Sequence, residues 1–98
     1  MIETLWNLVL EEDGFIVKLR NKNEFDERMY SQVKEILTKL VEEWKNKENI
    51  PKKGLLIIVE LIEFLARNSS FLSKEDSLKV EDAELEIKDI LNNLYSTL

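Results

Sequence analysis

The residues best suited to chemistry lie in KVEDAELEIKD, from Lys79 to Asp89, where five carboxylates occupy eleven positions. Carboxylates ligate hard cations such as Mg²⁺ or Mn²⁺, and they move protons to or from water. Which of them could act together is a matter of helical phase. With Ala83 at the centre of an apolar stripe, Asp82, Glu86 and Asp89 fall along one flank at four- and three-residue spacing. Glu81 and Glu84 point elsewhere. The cluster therefore reduces to a ridge of three carboxylates. A metal site would need further oxygens from a neighbouring helix, and Glu60 and Glu63 are the best-placed donors.

Other routes to catalysis are narrow. The chain has no cysteine and no histidine, so it holds no disulfide, thiolate nucleophile, Cys/His zinc site or imidazole base. Ser69, Ser70 and Ser73 have no evident base to activate them, and Ser73 reads as a helix cap. Gly14 and Gly54 are isolated, and neither opens a recognised phosphate loop. Lys52-Lys53 reads as solubilising charge at a helix start.

Taken together, Glu60-x-x-Glu63 and Glu86-x-x-Asp89 resemble in outline the paired acidic motifs of the all-α nucleoside triphosphate pyrophosphatases. The resemblance implies that Glu60, Glu63, Glu86 and Asp89 would hold Mg²⁺ or Mn²⁺, with a metal-oriented water attacking the triphosphate. Read from the residues alone, the same carboxylates are the solvated strips of amphipathic helices. That second reading is the expectation: no catalytic residue and no cofactor, with the metal-dependent enzyme as the alternative.

The elements that must carry these residues follow from periodicity. Ile2, Leu5, Trp6 and Val9 keep helical spacing ahead of Gly14. A β-hairpin about Asp13-Gly14 is the competing reading of this segment. The expectation is a short helix, then an extended or irregular Phe15–Leu19. Asn23, with Asp26 three residues on, is expected to cap a helix whose stripe runs Met29, Tyr30, Val33, Ile36, Leu37, Leu40, Val41 and Trp44. That helix should end in KNKEN, before Ile50-Pro51. Pro51 suits the first turn of the next helix.

This third helix carries two apolar stripes. One is Leu55, Ile58, Val59, Ile62, Leu65 and Ala66, and the other is Ile57, Leu61 and Phe64. Only Glu60, Glu63 and Arg67 remain for water. A helix apolar on two sides is central, or has one side closed by another subunit. After a polar link, Asn68-Ser69-Ser70, Ser73 and Asp76 read as an N-cap, with Leu72 as a hydrophobic staple. The last helix then follows with Val80, Ala83, Ile87, Ile90, Leu91 and Leu94 inward. Leu78 and Leu85 lie off that stripe. The sum is one all-α domain over residues 1–98, a bundle of about four helices.

Composition sets the class of function. A hydrophobic fraction of 44% is too high for a disordered chain, and a charged fraction of 35% is too high for a membrane protein. A net charge of −6 argues against direct nucleic-acid binding and against docking on an anionic membrane. A soluble, cytoplasmic protein is expected. Its expected role is protein interaction or assembly, with self-association as a homodimer the simplest case. Trp6, Ile57, Leu61, Phe64, Leu78 and Leu85 are the candidate interface residues. A further alternative is an acidic inhibitor whose α-helical carboxylates mimic nucleic acid in a partner's basic groove.

Overall fold

Leu5 and Val9, four residues apart, are both fully buried, as the spacing of the first segment requires. The computed structural model describes residues 1–22, 24–67 and 73–95. They form α1 (Ile2–Leu10), α2 (Phe15–Lys22), α3 (Glu27–Trp44), α4 (Lys52–Arg67) and α5 (Lys74–Tyr95). No strand occurs among the described residues, so the hairpin alternative does not hold. The all-α class does.

The segment after Gly14 differs from expectation. It is helical, and Phe15, Ile16 and Leu19 are its buried residues. The β-branched pair Ile16-Val17 favours strand locally, but tertiary burial of the i, i+1, i+4 face decides the outcome. Arg20 and Lys22 in the last turn complement the helix dipole. Gly14 forms the corner between α1 and α2. Its N–H donates to the Glu11 carbonyl at 2.7 Å, and its carbonyl accepts from Lys18 N–H at 3.0 Å. A Cβ here would lie 2.9 Å from the carbonyl oxygens of both Glu11 and Val9, so only glycine permits so close an approach.

The cap of α3 is also different. Asp26, in extended conformation, is the N-cap, and its side chain accepts from Met29 N–H. Asn23, the expected cap, lies outside the described residues. So do Asn68, Ser69, Ser70 and Leu72. Pro51 stands immediately before α4, where its carbonyl accepts from Leu55 N–H at 3.2 Å. Ser73 caps α5 as expected, its Oγ accepting from Asp76 N–H at 3.1 Å.

Four helices form a ring in the order α1, α3, α5, α4, with α2 packed on α1. α3 and α4 stand diagonally, although they are consecutive in the chain. Ion pairs fix the directions. Lys79 meets Glu27 at 2.9 Å and Lys34 meets Glu86 at 2.7 Å, so α3 and α5 run parallel. Lys53 meets Glu3 at 2.7 Å, which sets α1 and α4 parallel from their N-termini. The buried residues make one apolar cluster. It draws Val33, Leu37 and Val41 from α3, Ile57, Ile58, Leu61 and Leu65 from α4, and Val80, Ala83 and Ile87 from α5.

Candidate functional site

Helix α5 turns its carboxylate flank towards α3. Glu86 accepts a hydrogen bond from Lys34 Nζ at 2.7 Å, and Lys79, at the start of the same stretch, reaches Glu27. Glu84 is paired within its own helix to Lys88 at 2.9 Å. Glu81, Asp82 and Asp89 are exposed. Much of the charge in KVEDAELEIKD thus ties α5 to α3 or to itself. The Glu27 contact, followed by Glu75 and Asp76, outweighs partial burial and raises the Lys79 pKa above its ordinary 10.5.

Glu86 and Asp89 line a groove of about 460 Å³ between α3 and α5, with Ser31, Lys34, Thr38 and Ile90. Glu60 and Glu63 are exposed on α4, which flanks α5 on its other side. The four carboxylates of the two E-x-x-E/D motifs are therefore not gathered on one groove. Among the described residues, no group of three or more Asp or Glu side chains is placed to hold a metal ion. Helical phase gives the Asp82–Glu86–Asp89 flank from sequence, but not the neighbour that it faces.

A smaller depression of about 270 Å³ lies at the N-terminal ends of α3 and α5, lined by Phe25, Glu27, Tyr30, Ser31, Lys79, Asp82 and Glu86. Tyr30 is buried, and among the described residues its hydroxyl has no partner at good hydrogen-bonding geometry, although the Glu86 carboxylate is close enough to act on it. Burial, and then the nearby Glu86 carboxylate, push its pKa far above the ordinary 10.0. The phenol stays neutral at any physiological pH, so it supplies no base. Its ring packs against Phe15 and Phe25, with centroids 5.8 and 5.4 Å away. This is a structural aromatic cluster.

The expected interface residues divide. Ile57 and Leu61 are 0% and 1% exposed, inside the chain's own core. Phe64 is half-buried against that core. Trp6 is half-buried, and Lys53 Nζ stands 4.6 Å from its ring centroid, so it ties α1 to α4. Leu78 and Leu85 project from α5 into solvent.

The two faces of α4 cut across the stripes read from the sequence: Ile58 and Leu65 of the first are buried with Ile57 and Leu61 of the second. The exposed face holds Leu55, Leu56 and Val59, at 54%, 46% and 43% exposure, continued by half-buried Ile62 and exposed Ala66. One signal could have found it. Gly54 lies on the same face as Leu61 and Leu65, and only that face admits Trp44, whose ring would stand 2.6 Å from a Cβ at Gly54. The glycine marks the inward side.

No helix among the described residues is long and apolar enough to cross a membrane. Comparison of the chain with protein-family models, with curated proteins and with solved structures gives no match.

Proposed function

We propose that the protein is a helical protein-interaction module that engages another polypeptide through the outward face of α4. The observation that carries this reading is the contiguous exposure of Leu55, Leu56 and Val59 on a helix whose opposite face already fills the core. Single exposed leucines are ordinary on protein surfaces, whereas apolar side chains on successive turns mark a binding face. Full burial of each such side chain is worth roughly 1.5–3 kcal/mol, which rewards a partner that covers them together.

The test is a photo-crosslinking amino acid placed at position 56, with position 28 on α3 as the control, in the cells that make the protein. Adducts to a polypeptide are expected from Leu56 and not from Arg28, which is also exposed. Adduct formation that is equal at both positions, or absent at both, removes the reading.

A further inference from the structure

The outward stripe of α4 has a finer pattern than mere apolarity. Lys52, Leu55, Val59, Ile62 and Ala66 are spaced 3, 4, 3 and 4 residues apart, the a/d pattern of a coiled-coil seam. Leu55 and Ile62 occupy d, while Lys52, Val59 and Ala66 occupy a. Of the own-core face, Ile57 and Leu61 fall at f and c, on the far side of the helix, and Ile58 and Leu65 fall at g, on one flank of the seam, where half-buried Ile62 also meets the core. The helix therefore carries two faces, one for its own bundle and one for a helix outside it.

Resting on the interaction reading above, we infer that the occupant of this seam is α4 of a second copy of this chain, packed antiparallel about a two-fold axis between Glu60 and Leu61. The side-chain sizes select this arrangement. In an antiparallel pair each a residue meets a d residue of the other copy. The layers are then Leu55 with Ala66, Val59 with Ile62, and the same two again by symmetry. Large meets small at both ends, and intermediate sizes meet at the centre, so the layers fill evenly. A parallel pair would stack Leu55 on Leu55 and Ala66 on Ala66, crowding one end and leaving a void at the other. Antiparallel packing also opposes the helix dipoles. Leu56, at e, covers the edge of the seam beside the aliphatic stem of Glu63 from the other copy. The contact is isologous and closes on itself, which gives a dimer and not a filament.

The chain has no native cysteine, so introduced ones report without background. Leu55→Cys and Ala66→Cys proteins are mixed and mildly oxidised, and the disulfides are identified by mass spectrometry. Both positions are exposed, so neither change removes a core contact. The antiparallel dimer gives the mixed 55–66 disulfide in excess. Its two 55 positions lie about 16 Å apart along the helices, beyond the reach of a disulfide. Homodisulfides at 55 and at 66 in place of the mixed product would show a parallel pair and overturn the inference. In sedimentation, Val59→Glu is expected to weaken the dimer by about 100-fold or more, because it places two carboxylates in the central layers. Leu85→Glu, on the outward face of α5, is expected to leave it intact. Loss of the dimer in Leu85→Glu alone would move the interface to α5 and overturn the assignment. A strict monomer at millimolar concentration excludes the second copy. In that case the crosslinks from position 56 show separately whether the face still serves another polypeptide.

Discussion

Asp26 uses its two carboxylate oxygens for different elements. Oδ1 accepts from Met29 N–H at 2.9 Å and caps α3, while Oδ2 accepts from Lys18 Nζ at 3.0 Å and holds α2. The Met29 hydrogen bond, then that of Lys18, lowers its pKa below the ordinary 3.8. A carboxylate with a depressed folded-state pKa stabilises above its unfolded value, and the contribution is lost as pH falls through the folded one. Asp26→Ala should therefore cost about 1 kcal/mol in urea unfolding at pH 7. Asp26→Asn keeps the cap and should cost less. The gap between Asp26→Asn and the native chain should shrink below about pH 3.8, and a gap independent of pH would contradict this account. Tyr30 gives the opposite case. Its hydroxyl is buried with no well-formed hydrogen bond among the described residues, so Tyr30→Phe should leave stability unchanged or raise it by up to about 1 kcal/mol. A loss larger than that would reveal a partner for the phenol. Neither feature is fully legible in sequence. Asp26 was recognisable as a residue of the helix start, but its ion pair with Lys18 depends on α2, which the β-branched Ile16-Val17 disguises.

Helix α4 is where local pattern and tertiary environment part. It is apolar on two sides, so periodicity identifies the helix and cannot choose its inward side. Gly54 supplies the asymmetry. Alanine is the better helix former by about 1 kcal/mol, yet a Cβ here would stand 2.6 Å from the Trp44 ring. Trp44 is itself 2% exposed and has little room to yield. The overpacking term wins, and Gly54→Ala should destabilise by about 1–3 kcal/mol in thermal or urea unfolding. The same division predicts a sharp contrast along the helix. Leu61→Ala should cost about 2–5 kcal/mol, whereas Leu55→Ala, measured where the chain is monomeric, should stay within about 0.5 kcal/mol. Equal losses would mean that both faces are covered within one chain. Helix α5 is the contrasting case. Its inward residues Val80, Ala83, Ile87 and Leu91 are all buried, because its single clean stripe leaves no choice of face.

At the scale of the whole molecule, the proposed dimer would couple self-association to folding. A second copy that binds only the folded state stabilises it by mass action, so the midpoint of thermal unfolding should rise with protein concentration. Val59→Glu should abolish that dependence while leaving the dilute-limit midpoint nearly unchanged. A midpoint independent of concentration in the native chain would speak against the dimer. The ring order α1, α3, α5, α4 was not legible in sequence, because consecutive helices usually pack as neighbours and α3 and α4 do not. Its signature is charge at long range, in Lys34–Glu86 and Lys79–Glu27, each joining residues 52 positions apart. That ordering bears on synthesis. As the chain leaves the ribosome, α3 appears before α5, with Val33 and Leu37 on its inward face, and the flank that α5 covers stays open until α5 has emerged. No intermediate ending before α5 can seal this core. From the emergence of α3 to that of α5 the nascent protein holds an incomplete apolar surface, and a chaperone that reads such surfaces has its opportunity there.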